Sequence, residues 1–207
     1  AEVVLETDGI DSLDILYQID NGLPSEASTK SFLRMACNNV SQNYLEQFEY
    51  KAWPNDKAHE VQVPYRNTKM LALPWGGACE PVWFKSDPRV RNCRVLTAPG
   101  DRLVTPIKSA IAAFNAQVAN GTQAEKEAFT NAVGDQMATG EPPKDHVDIQ
   151  RSVIVCNGQG RQATAQFLFN LSAPYSWTGD LCAEAAQRLL GGQLKKVGFQ
   201  SAAQAFG

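Results

Sequence analysis

The side chains that could do chemistry fall in several separate places along the chain. Trp75-Gly76-Gly77-Ala78-Cys79-Glu80-Pro81 lies between apolar runs and reads as an exposed loop. Glycines let a backbone approach a ligand closely, and a neighbouring Trp can wall a pocket. The same residues also make an ordinary glycine turn with Trp75 in the core. Tyr175, Ser176 and Thr178 fall between a strand and a helix, where hydroxyls can hold a substrate carbonyl. Their structural reading is that Ser176 or Thr178 caps the helix while Tyr175 packs. Ser28, Thr29 and Lys30 lie in the first turns of another helix, where free N–H groups can hold an anion and where simple capping also explains them. Arg89, Arg91 and Arg94, near Lys85, suit a carboxylate or phosphate, or a solvated face. His59 and His146 stand beside Glu60 and Asp145 in polar surroundings. Neither has a nucleophile or metal-ligand context, and spacing alone assembles no Ser-His-Asp or Cys-His set.

Composition narrows the classes. The chain has 207 residues, 43% of them hydrophobic, and a formal net charge of -3. That suffices for one substantial core, or a core with an appended helical piece. No basic excess points to nucleic acid. Apolar runs such as Ala110 to Phe114 are too short to span a bilayer. The opening Ala1-Glu2-Val3-Val4-Leu5-Glu6 lacks the basic start and the cleavage site of a signal peptide. Five cysteines, Cys37, Cys79, Cys93, Cys156 and Cys182, are widely spaced; they read as reduced thiols in a cytoplasmic protein rather than as metal ligands. Asn39, Asn120 and Asn170 begin Asn-x-Ser/Thr triplets, which recur often by chance.

Gly158-Gln159-Gly160-Arg161-Gln162-Ala163 matches the dinucleotide fingerprint and follows a strand. The fingerprint needs a helix next, with its N-terminus facing a pyrophosphate, and an acid about 20 residues further on. The residues after Gly160 alternate with period two instead, so a hairpin turn is the reading, and no cofactor is expected to bind this chain.

The elements that must position these groups follow from periodicity. Leu13 to Gln18 alternates as a strand. Ser25 caps a helix from Glu26 to about Tyr44, with Phe32, Met35, Ala36 and Val40 on one face. Strands are expected at Phe48–Ala52, Val61–Val63 and Met70–Leu73, with further apolar runs at Val82–Phe84 and Cys93–Thr97. Asp101 to Asn120 is helical, and Thr122 caps a second helix with Glu125 at the capping-box position, running to about Met137. Gly140-Glu141-Pro142-Pro143 reads as a linker. Val147–Cys156 and Arg161–Leu171 form a hairpin around Asn157-Gly158-Gln159-Gly160, and a last helix spans about Thr178 to Leu190. Strands grouped rather than alternating with helices predict an α+β fold: a mostly antiparallel mixed sheet with helices on one face. The whole chain is expected to be one domain, with a helical segment at about 101–139 and a hairpin plus helix at 145–207.

The C-terminal quarter carries the most specific pattern. Gly160-Arg161-Gln162-Ala163-Thr164-Ala165 leads into Ala173-Pro174-Tyr175-Ser176-Trp177-Thr178-Gly179, then Ala183-Glu184-Ala185-Ala186, Leu189-Leu190, and Gly198-Phe199-Gln200-Ser201-Ala202-Ala203 through to Gly207. This resembles the end of the saccharopine-dehydrogenase-like family, which includes trans-acting enoyl reductases, although Ala202 stands where that family usually has Pro. Ser25 to Phe32 resembles the opening of the family's second domain without its glycines. The resemblance implies a parent NAD(P)-dependent oxidoreductase with a Rossmann domain ahead of Ala1, a small-molecule substrate, and a second domain that shapes the substrate site and carries the subunit contact. On that reading this chain is the substrate-binding and oligomerisation half, not catalytic alone, and a homodimer. The alternative is a non-enzymatic dimerisation or ligand-binding module.

Overall fold

The computed structural model describes residues 1–20, 24–37, 43–54, 56–65, 69–137, 146 and 148–207. In chain order the elements are α1 (Glu2–Leu5), β1 (Ile10–Asp20), α2 (Glu26–Cys37), β2 (Asn43–Glu46), β3 (Glu49–Ala52), β4 (His59–Gln62), β5 (Lys69–Pro74), α3 (Glu80–Trp83), β6 (Asn92–Ala98), α4 (Asp101–Gln117), α5 (Gln123–Met137), β7 (Arg151–Gly160), β8 (Thr164–Leu171), α6 (Pro174–Leu190) and α7 (Ala202–Phe206). The fold is α+β. The sheet runs β3-β2-β6-β1-β7-β8, with β5 joining β6 beyond β2 and β4 pairing with β5. Among the described residues β1–β6 is the one parallel pairing, and every other pair is antiparallel.

β1 sits at the centre, so both of its faces are buried. Leu13, Ile15 and Tyr17 alternate onto one face, in register with Cys93, Val95 and Thr97 of β6 and with Gly158, Cys156 and Ile154 of β7. This face packs Val4 and Leu5 of α1, with Phe84 just after α3 and Leu45 of β2. Leu73 of β5 carries the same side onward to Val104, Ile107, Ile111 and Phe114 of α4 and Ala36 and Cys37 of α2. The opposite face, with Leu16, Ala98, Val153 and Val155, is covered by Val63 and Ala72 of the β4–β5 hairpin. The helices thus lie on one side and a hairpin on the other.

Several elements differ from the sequence expectation. Of the helix expected from Glu26 to Tyr44, Glu26–Cys37 is helical as α2, residues 38–42 lie outside the described residues, and Tyr44 belongs to β2. Phe48 is not a strand residue. It shares a tight turn with Gln47, both at positive φ, the geometry a two-residue hairpin requires. The turn is held from outside: the Phe48 N–H donates to the Arg91 carbonyl at 2.9 Å, and the Gln47 N–H to Asn92 Oδ1 at 2.9 Å. The Val82–Phe84 run lies in the short helix α3 and the turn that follows it, begun by Glu80-Pro81, since Pro suits the first helical turn.

The hairpin is longer than its glycines suggest. Residues 157–160 stay in β7, and the turn is Arg161–Ala163. Gly158 and Gly160 are there for packing: a Cβ on Gly158 would strike Val4, and one on Gly160 would strike the Gly9 carbonyl. α6 begins at Pro174, so Tyr175, Ser176 and Thr178 lie inside the helix. Its N-cap is Ala173, without a side-chain cap, and the Thr178 hydroxyl donates back to the Pro174 carbonyl at 2.7 Å. The expected linker Gly140–Pro143 and the triplet at Asn39 lie outside the described residues. The Thr122–Glu125 capping box forms as read, with the Thr122 N–H donating to Glu125 Oε2 at 2.7 Å and the Glu125 N–H to Thr122 Oγ1 at 3.3 Å.

Candidate functional site

The strand registers that bury Ile15 and Tyr17 also leave a concavity beside them. A cleft of about 200 Å³ is lined by Ala1, Ile15, Tyr17, Glu80, Ile154, Cys156, Phe167 and Phe169. Ile15, Cys156 and Phe167 stand side by side across β1, β7 and β8, as do Tyr17, Ile154 and Phe169 one step along. The wall is therefore a two-row apolar patch. Its one fixed polar pair is Tyr17 and Glu80: the Tyr17 hydroxyl donates to Glu80 Oε1. Glu80 is only 7% exposed, so this partner offsets part of the cost of burying a carboxylate.

Burial, and then the Glu80 charge, push the Tyr17 hydroxyl far above its usual range. Tyr17 therefore stays protonated at neutral pH, with its hydroxyl bound to Glu80. Three thiols surround the pair. Cys156 and Cys93 are pushed up by burial, and Cys79 by burial and by Glu80. All three remain thiols, not nucleophilic thiolates. The arrangement has the character of small-molecule sites, apolar walls with a few placed polar groups. It can hold and orient a compact, largely apolar ligand.

Apart from Glu80, the residues singled out in the sequence lie around this cleft rather than in it. Trp75 stacks on Tyr17 with ring centroids 6.3 Å apart and meets Phe32 at 5.8 Å. Gly76 and Gly77 form the turn behind it, closed by the Ala78 N–H donating to the Trp75 carbonyl at 3.1 Å; a Cβ on Gly77 would touch the Trp75 ring at 3.5 Å. Trp75, Gly76 and Gly77 back Tyr17, and of the Trp75–Pro81 segment it is Glu80 that lines the cleft. Tyr175 instead meets the start of α2: its hydroxyl accepts from the Ser25 N–H at 3.0 Å and donates to Ser28 Oγ at 2.9 Å. The Ser28 N–H is taken by Ser25 Oγ at 3.1 Å. Two expected anion or carbonyl sites thus satisfy each other. Thr29 Oγ1 donates to the Ser25 carbonyl at 3.0 Å, and Lys30 pairs with Glu26 and Asp135.

The basic cluster is neutralised in place. Arg89 pairs with Asp87 and Glu2, Arg91 with Asp11, Arg94 with Asp14 and Lys85 with Glu49. His59 packs edge-on against Trp53 at 5.0 Å, with Arg94 and Lys57 near enough to act on it. Sequence reasoning missed Tyr17 and the two phenylalanines as site residues, and it included Glu80 only within the Trp75–Pro81 segment, without a role of its own. The available signal was a hydroxyl continuing the apolar alternation of Leu13 and Ile15.

The dinucleotide implied by the family resemblance does not fit these residues. Gly158 and Gly160 are extended in β7, their open sides are filled by α1 and Gly9, and a strand follows. Among the described residues no cluster of three His, Cys, Asp or Glu can hold a metal ion, and no helix is long and apolar enough to cross a membrane. A comparison with curated proteins finds no match. Residues 1–207 match the model of a family described as of unknown function, DUF5938, and the chain belongs to that family.

Proposed function

We propose that this chain is the substrate-binding and oligomerisation part of a saccharopine-dehydrogenase-like, NAD(P)-dependent oxidoreductase, with the nucleotide supplied by a separate domain. The observation that carries the reading is the cleft, an apolar hollow on a sheet face with one buried polar pair, Tyr17–Glu80, at its floor. The C-terminal pattern around Tyr175 supports the same division of labour. The bound molecule is small and mostly apolar, with a carbonyl or hydroxyl to meet the Tyr17–Glu80 pair. The five free thiols suit a reducing, cytoplasmic setting.

A second reading has its own support: with Tyr17 held protonated and the nearby thiols un-ionised, the chain works as a ligand-binding module without chemistry of its own. Amide NMR titration with short 2-oxo acids and 2-enones tests the cleft. Saturable shifts should cluster at Tyr17, Ile154, Cys156 and Phe167, and Ile154→Trp, which fills the hollow, should remove them. Shifts that survive Ile154→Trp, or none at millimolar ligand, overturn the site. Turnover of NAD(P)H by this chain alone would overturn both readings.

A further inference from the structure

Among the described residues β3, β4 and β8 each pair with a single strand, and β8 is the longest of the three. β8 pairs with β7 alone. It carries Thr164-Ala165-Gln166-Phe167-Leu168-Phe169-Asn170-Leu171, a strand without a charge, a proline or a glycine. Soluble proteins usually protect a free edge with such residues or with a bulge. Phe167 and Phe169 are 39% and 36% exposed. The sequence around Leu168 is close to a palindrome in chemical type: polar, Phe, Leu, Phe, polar.

We propose that β8 pairs antiparallel with β8 of a second copy about a two-fold axis at Leu168, making one continuous sheet through the dimer. An isologous contact needs a surface complementary to itself, and this register provides it. Leu168 faces the partner's Leu168. Phe167 faces the partner's Phe169 on the cleft side, and Gln166 faces the partner's Asn170 on the other. Successive residues alternate faces, so the aromatic pairs and the amide pairs stay on separate sides of the sheet. Aromatic cross-strand pairs are among the favourable ones.

A specific interface buries about 800 Å² on each partner, more than a strand edge offers. α6 supplies further surface beside it. It follows β8 after two residues, touches Phe169 through Trp177 at 5.1 Å, buries none of its own residues, and exposes Leu181 and Leu189.

The pairing also bears on the cleft. Phe167 and Phe169 line it, so the partner's Phe169 extends its aromatic rim and each cleft is completed by the other copy. Only this last point rests on the proposed binding function; the pairing itself stands without it.

The test uses the whole chain. Sedimentation equilibrium at tens of micromolar should give twice 22.6 kDa. In a Cys182→Ser background, Leu168→Cys should form a disulfide-linked dimer on mild oxidation, because the two residues meet at the axis. Gln166→Cys should not, since its two copies lie about 13 Å apart at the rise of a β-strand. Phe169→Lys should weaken association at least tenfold, and adding Phe167→Glu should restore it by pairing opposite charges across the axis. A monomer, a dimer in which Cys at 168 does not cross-link, or equal cross-linking from 166 overturns the proposal. None of these readouts needs a ligand, so failure of the NMR titration and failure of the dimer are separable.

Discussion

The two ends of the main strand path, β3 and β8, finish the same sheet in opposite ways. At one, β3 is four residues long and carries Glu49 and Lys51. Its turn is held in place: Lys85 bonds the Phe48 carbonyl and reaches Glu49 at 3.3 Å. Behind it, Tyr44, Trp53 and His59 stack in sequence. At the other, β8 is twice as long, uncharged and lined with phenylalanine. A charged strand resists a neighbour, because adding one would desolvate its charges; an uncharged one presents only unpaired amides and apolar rings. One sheet thus has a closed end and an open end, and the cleft lies toward the open one.

The largest expected effect comes from unseating the open end. Gly160→Ala drives a Cβ into the Gly9 carbonyl, so β7 and β8 must shift relative to α1. Overpacking against backbone costs about 3 kcal/mol, read as a drop in the urea midpoint. Making the open edge resemble the closed one comes next: Phe169→Lys should raise the dimer dissociation constant at least tenfold, about 1.4 kcal/mol, in sedimentation. The converse exchange, Glu49→Thr with Lys51→Thr, should give species larger than a dimer in the same experiment. A dimer unchanged by both exchanges would remove the distinction between the edges.

A smaller effect is expected where α6 meets α2. Tyr175→Phe removes the acceptor of the Ser25 N–H and the donor to Ser28 Oγ, at an exposed position, so it should cost about 1 kcal/mol or less. The smallest is at the closed end. Burial, then Arg94 and Lys57, hold His59 below its ordinary value of 6.5. The unfolded chain therefore takes up that proton first. The contribution is present above the ordinary value and is lost as pH falls through it toward the folded value. The urea midpoint should fall between about pH 7.5 and 5.5, and the fall should shrink in His59→Gln.

Some of this was readable from neighbours in sequence alone. The Thr122–Glu125 box needs groups three residues apart, and it forms as expected. The alternation of Ala163 to Leu171 depends only on the two-residue strand period, and it predicts β8; the grouping of strands predicts the antiparallel character of the sheet. The start of α2 at Ser25 is equally local. Tyr44 was misassigned to the helix because helical spacing in residue type runs on to it, while the pairing of β2 with β3 and β6 claims Tyr44 and Leu45.

The site itself was decided by distance. Tyr17 and Glu80 are 63 residues apart, and no spacing rule connects them. They meet because parallel pairing of β1 with β6 and the turn at Gly76-Gly77 bring α3 over the face that carries Tyr17. The same holds for Gly158 and Gly160, whose spacing imitates a nucleotide loop but whose cause is the close approach of Val4 and Gly9. Sequence by itself determined the local elements and the uncharged character of β8, because both depend on residues within a turn or a strand period. Tertiary structure alone decided which of those elements is an edge, which hydroxyl is buried against a carboxylate, and where the cleft opens, because each depends on contacts between segments that local sequence does not pair.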